Sequence, residues 1–150
     1  MNRTVIIMFL AIFMACNSVL AQNAYTIYPV PQEQKTTKGK SSFTQKVCVV
    51  AEPGIDKYTL DRALQVLKAK GLDASIADKP QSGKSTVYLG INGSKGTADR
   101  KASGLKLKRD IFSQLKYDRH IVSLSSNGGK AQVVILGENT DAVFYGLATL

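Results

Sequence analysis

The chain has 150 residues, 44% of them hydrophobic, and carries 20 Lys+Arg against 11 Asp+Glu for a formal net charge of +9. One domain with one real core fits that length. A basic balance raises nucleic acid, anionic membrane or polyanionic glycan as partners, but the charges are scattered, as on a solvated surface. Its two cysteines leave no internal disulfide framework once the first is assigned to a leader, and no CxxC or Cys/His cluster offers a metal site. Neither a metal nor a cofactor is expected.

The leader comes first in chain order. Met1-Asn2-Arg3 is a short, singly positive n-region, and Val5 to Cys16 is apolar without a break. That run of about twelve residues suits a signal h-region and is too short for a transmembrane helix of roughly twenty. Val19-Leu20-Ala21 supplies the small residues of a cleavage site, so residues 1–21 read as a signal peptide cut before Gln22. The product is then periplasmic or extracellular. Phe13-Met14-Ala15-Cys16 also resembles a lipobox, with Phe13 where Leu is usual, which leaves a lipid anchor at Cys16 as the alternative. Loss of Arg3 with the leader lowers the charge from +9 to +8.

In the remaining chain, Tyr25 to Gln32 reads as an extended segment closed by Pro29 and Pro31. Glu33 to Ser42 reads as a turn or exposed edge, and Phe43 to Ala51 as a strand ended by Glu52-Pro53-Gly54. Leu60, Ala63, Leu64 and Leu67 fall at helical spacing, with Asp56 to cap the start and Gly71 at the C′ position. Ala74–Ala77 and Ser85–Ile91 read as strands, and a short helix is expected across Ala98–Ser103. Lys106 to Asp118 is irregular or holds a helical turn. His120–Ser125 alternates, with Val122 and Leu124 on one face, and Asn127-Gly128-Gly129 turns the chain into Ala131–Leu136, apolar on both faces like a central strand. Asn139 or Thr140 caps a last helix with Val143, Phe144, Leu147 and Leu150 on its apolar stripe. The expected fold is an α/β (α+β) sandwich, with helices packed on a mixed sheet. Tyr145 to Leu150 stops within a helical pattern without a C-cap glycine or proline, as a truncated chain would.

Chemical motifs are few. Gly83-Lys84-Ser85 imitates a P-loop tail, but its first glycine would fall on Asp78 and the segment precedes a strand. Gly90 to Gly96 spells G-x-x-G-x-x-G without an acid for a ribose, and reads as a mobile surface loop. His120 is the single histidine and has no nucleophile near it in sequence. Cys48 lies within Val47-Cys48-Val49-Val50 as an inert buried thiol would. The carboxylates occur singly, with Asp56 and Asp141 placed to face helix dipoles. Lys95 to Arg119 holds eight Lys/Arg against three Asp, with only Phe112 and Tyr117 as aromatics and none among the bases from Lys95 to Arg109, which is not the interleaving that base stacking needs. No catalytic, cofactor-binding or metal-binding residue is assigned.

Two segments resemble a known family. Tyr28-Pro29-Val30-Pro31-Gln32 is similar to the P-x-P-Q opening of the domain that precedes the barrel in bacterial β-hexosaminidases and in glycoside hydrolase family 84. Glu138-Asn139-Thr140-Asp141-Ala142-Val143-Phe144-Tyr145-Gly146, continuing to Thr149-Leu150, resembles that domain's closing segment, in a form closer to family 84 than to family 20. The resemblance spans residues 24–150, although 95–117 match nothing recognisable. It implies an N-terminal accessory domain, residues 22–150, whose partner is a (β/α)₈ barrel of the same parent protein. That barrel, of a β-N-acetylglucosaminidase or hyaluronidase-like enzyme, would remove β-linked N-acetylglucosamine from a glycan, with the substrate's acetamido group as nucleophile. Its catalytic acids would lie past Leu150, so none is carried onto this chain. The alternative is a stand-alone secreted module that binds anionic glycans through the basic surface.

Overall fold

A computed structural model of the protein describes residues 33–35, 41–114 and 117–150, all within one compact unit. The leader, the Cys16 alternative and the extended segment Tyr25 to Gln32 lie outside the described residues. Five strands form one sheet: β1 (Lys46–Ala51), β2 (Asp73–Ile76), β3 (Ser85–Ile91), β4 (His120–Asn127) and β5 (Lys130–Gly137), in the order β2-β1-β3-β5-β4. Every pairing is parallel except β4 with β5. Three helices, α1 (Lys57–Ala69), α2 (Thr97–Gly104) and α3 (Thr140–Gly146), cover the sheet, with 3₁₀ turns at Asp110–Ser113 and Leu147–Thr149. The expected mixed-sheet sandwich is thus observed.

Parallel strands need crossovers, and the crossover helices cover both faces, so the inner strands are apolar on both sides. On one face Val47, Val49, Val87, Leu89, Val133 and Ile135 meet α1 and α3. On the other, Cys48, Val50, Tyr88, Val134 and Leu136 meet Ala98 and Ala102 of α2, backed by Leu105, Leu107 and Phe112. Cys48 is fully buried there, its Sγ 3.7 Å from the Lys79 carbonyl.

Local signals set the helix ends. Asp56 accepts the Thr59 N–H at 2.7 Å, the N-cap bond that its short side chain allows. At the other end Gly71 takes φ +77°, and the amides of Gly71 and Leu72 return to the Lys68 and Leu67 carbonyls. That pair of bonds is a Schellman closure, which a residue other than glycine enters at a steric cost. The hairpin after β4 turns on Gly128 and Gly129, at φ +57° and +79°, as a two-residue primed turn requires.

Four expectations need correction. β1 begins at Lys46 and not at Phe43, because side chains replace the ladder before it. Thr44 N–H bonds the Ser85 hydroxyl at 2.9 Å and Ser85 N–H bonds the Thr44 hydroxyl at 2.7 Å. Leu124 does not share the burial of Val122; it is 57% exposed on the edge strand, where helix cover gives out. α3 faces the core through Ala142, Val143, Gly146 and Leu147, while Phe144 points toward α1. One step along a helix turns a side chain by about 100°, which takes Phe144 off the sheet. The fourth is the Gly90–Gly96 loop, which is anchored and is described below. Among the described residues no helix is long and apolar enough to cross a membrane.

Candidate functional site

The densest polar cluster lies where β1, β3 and α2 meet. Glu52, directly after β1, is 5% exposed. Its Oε1 accepts the Asp99 N–H at 2.8 Å, and its Oε2 accepts the Ile91 N–H at 3.2 Å and the Ser94 hydroxyl at 2.5 Å. The carboxylate therefore caps α2 from a different element, placing negative charge at the positive end of the helix. The same side chain explains two glycines. A Cβ at Gly90 would come within 2.7 Å of the Glu52 carboxyl, and one at Gly96 would fall on that carboxyl too. Gly93 takes the left-handed turn between them, at φ +81°. The G-x-x-G-x-x-G spacing is thus a seat for Glu52 and not a phosphate cradle or a mobile loop.

Asp99 lies beside Glu52, 6% exposed. It accepts the Lys95 N–H at 2.8 Å and Arg109 Nη1 at 2.5 Å. Arg109 also donates to Asn92 Oδ1 at 3.0 Å, and to the Asp99 carbonyl and the Ser103 hydroxyl, both at 2.8 Å. Sequence separation hid this contact between the Glu52 carboxylate and the Asp99 amide, 47 residues apart in the chain. Chemically the pair is closed. Both carboxylates are held by internal donors, and no buried side-chain N or O among the described residues lacks a partner.

The closing motif is accounted for residue by residue. Glu138 pairs with Arg119 Nε at 2.8 Å and with its Nη2, and Arg119 Nη1 reaches the Phe112 and Gln114 carbonyls. Asn139 caps α3 by accepting the Ala142 N–H at 2.8 Å. The Thr140 hydroxyl accepts the Asp56 N–H at 3.2 Å and lies 3.1 Å from the Thr59 hydroxyl, joining the starts of α3 and α1. Phe144 stacks on Tyr58, centroids 5.4 Å apart, with the Arg62 guanidinium 5.8 Å from its ring centre. Gly146 lets α3 approach β5 and β4, since a Cβ there would meet Ile135 at 2.7 Å and the His120 ring at 3.2 Å. His120 itself is half-buried, with Nδ1 2.9 Å from the Asp118 carbonyl, and takes part in this packing. Lys84 and Ser85 are at the start of β3, Ser85 bonded to Thr44. Among the described residues no group of three or more His, Cys, Asp or Glu side chains is placed to hold a metal.

Three carboxylates are shifted in one direction. The Thr59 amide holds Asp56 below its ordinary 3.8. Burial pulls Asp99 upward, but the Lys95 amide and Arg109 outweigh it and leave it below 3.8. Hydrogen bonds from Arg119 hold Glu138 below 4.5. A folded-state pKa below the unfolded one means that the unfolded chain binds more protons in the window between them. The stabilisation is complete above the unfolded values and is lost as pH falls through the folded ones. The melting temperature is expected to stay level from about pH 5 to 8 and to drop below about pH 4. In Asp99→Asn that drop should be shallower, from a lower starting point at neutral pH, when thermal melts are followed across the pH series.

The model of glycosyl hydrolase family 20, domain 2, matches residues 24–150. The solved structure of CpGH84D is similar with a TM-score of 0.71 and 33% identity, over 85% of this chain and 20% of that one. A GH138 enzyme targeting pectin rhamnogalacturonan II aligns at a TM-score of 0.40 and 16% identity, over 68% of this chain and 12% of that one. No curated protein matches. The chain therefore spans a fifth of CpGH84D, and the likeness leans toward family 84, as the closing motif does. With a family match over 24–150 and a shared fold at 33% identity, the chain belongs to the domain 2 family of glycosyl hydrolase family 20, the N-terminal domain of hexosaminidase-like glycoside hydrolases.

Proposed function

We propose that residues 22–150 are the non-catalytic N-terminal accessory domain of an exported β-N-acetylglucosaminidase, working beside a (β/α)₈ barrel of the same parent protein. The family match over 24–150 carries this reading. The internal use of Glu52, Asp99 and Glu138 supports its non-catalytic half, because general acid–base work needs a carboxyl group open to substrate. The apolar leader supports export, with Cys16 lipidation as the variant form.

A barrel partner needs a face that the domain does not cover itself. The sheet faces are covered by the domain's own helices, which leaves the outer sides of α1 and α3. There Tyr58 is 73% exposed and Tyr145 is 50% exposed, on either side of Phe144. Exposed aromatics grouped this way favour a partner surface over water. The domain's task is then to hold the barrel in place, while glycan hydrolysis belongs to the barrel.

One preparation tests both halves. Intact mass of the exported protein should show loss of residues 1–21, and a lipidated Cys16 would replace the soluble reading with an anchored one. The purified protein should hydrolyse an aryl β-N-acetylglucosaminide no faster than buffer. Turnover that survives repurification and disappears in His120→Ala would refute the non-catalytic assignment.

A further inference from the structure

The residues around α2 separate their charges by side. Lys95 to Arg109 holds six Lys/Arg and one acid, Asp99. That acid faces inward and is bound to Arg109. The neighbouring Glu52 is turned inward as well, onto backbone amides. The other five bases lie outward or along the side. Ala98, Asp99 and Ala102 fill the inner face of α2, so Arg100 points to solvent and Lys101 lies over the Tyr88 ring, 5.9 Å from its centre. Arg100 Nη1 reaches the Lys95 carbonyl at 2.5 Å. After the helix, Leu105 and Leu107 pack inward, and the alternate Lys106 and Lys108 are exposed. Among the described residues the only carboxylate within 4.0 Å of a nitrogen of these five side chains is that of the exposed Glu33, 3.8 Å from Lys108. The outer side of α1 is built differently, with Lys57 paired to Asp61 at 2.5 Å.

Two of these lysines occupy backbone positions that suit glycine. Lys95 has φ +60° and Lys106 has φ +53°, two of the three left-handed non-glycine residues among the described residues. A lysine there is less stable than glycine for steric reasons, and both residues are exposed to solvent. Such positions mark side chains retained for another purpose.

We propose that Lys95, Arg100, Lys101, Lys106 and Lys108 form a binding ridge for a polyanionic glycan, a chain bearing sulfate or uronate groups. It is a second contact with glycan, independent of the accessory role. The exposed large hydrophobics among the described residues are Tyr58, Ile76, Tyr117, Leu124 and Tyr145, and none falls between Lys95 and Lys108. The ridge segment itself thus supplies no apolar wedge for a bilayer and no exposed ring for a base. Clustered positive charge on a polar surface matches a hydrophilic chain with regularly spaced anions.

The glycine preference of two positions provides a test that keeps the fold. Lys95→Gly/Lys106→Gly removes two ridge charges while relieving backbone strain, so its melting temperature should equal or exceed that of the parent. The control, Lys68→Gln/Lys70→Gln, removes the same charge at the end of α1, which packs on the opposite sheet face. Binding to heparin should fall by about tenfold at low salt in the ridge variant, with a shallower salt dependence, since fewer ion pairs release fewer counterions. The control should change by less than about twofold. Equal losses in both variants would overturn the ridge in favour of diffuse charge. Tighter binding to duplex DNA or to phosphatidylglycerol vesicles than to heparin would overturn the glycan assignment.

Discussion

Replacing Leu147 by alanine will destabilise the domain by about 3 kcal/mol, within the usual range for a buried leucine. Leu147 is fully buried at the start of the 3₁₀ turn that continues α3, in the core face shared with Leu67, Val143 and Ile135. The loss combines transfer of the side chain with the cavity left behind, and Gly146, wedged against Ile135, limits how far α3 can settle into it. Phe144→Ala provides the contrast. Phe144 is only half-buried, and its stack on Tyr58 is worth about 1 kcal/mol. Urea unfolding of both variants checks the orientation of α3. A larger loss for Phe144→Ala than for Leu147→Ala would mean that the aromatic ring, and not Leu147, enters the core.

Glu52→Ala has a comparable or larger expected effect, about 4 kcal/mol, by a different route. It strands the amides of Ile91 and Asp99, and an unsatisfied buried donor costs about 1–3 kcal/mol, while the hydroxyl of the exposed Ser94 can turn to water. It also removes the negative charge at the start of α2. Glu52→Gln keeps the shape but turns an NH₂ group toward donors, so it should recover part of the loss. Coupling with Gly96 makes the test specific. Gly96 has φ −74°, a conformation open to alanine, so Gly96→Ala is harmful only because the added methyl meets the Glu52 carboxyl. The double variant Glu52→Ala/Gly96→Ala should therefore be more stable than the sum of the single losses predicts. Additive losses in denaturant melts would show that Glu52 does not occupy the space above Gly96.

Loss of the Glu52 seat would also disturb the ridge, because Asp99, Arg109 and the start of α2 all depend on it. Glu52→Ala should thus weaken heparin binding along with stability, whereas the glycine pair at positions 95 and 106 separates the two properties.

By itself the sequence determined the features whose cause is local. Asp56 and Asn139 read as caps because a short polar side chain reaches an amide three residues on. Gly71 and Gly128-Gly129 read as stops and turns because only glycine enters left-handed backbone freely. Ser85–Ile91 read as a strand with the bounds that the structure shows, from its β-branched and aromatic content. The closing motif pointed to the family for the same reason: one continuous segment contains its cap, its aromatic and its glycine.

Only the tertiary structure decided what depends on partners distant in the chain. Glu52 looked like part of a strand-ending turn, and the amide it holds at Asp99 is 47 residues away. Thr140 serves α1 from 81 to 84 positions further on. Phe144 and Leu147 are equally apolar, and periodicity placed them on one stripe, but the close approach of Gly146 to β5 fixes which of them enters the core. Charge is the same kind of case. Counting Lys and Arg along the chain yields a scattered excess, and a ridge appears only when α2 turns its one acid toward the sheet and leaves its bases in water. Low-dielectric burial makes an unpaired carboxylate costly, so the two acids that do turn inward, Glu52 and Asp99, each rest on donors, while the lysines remain outside.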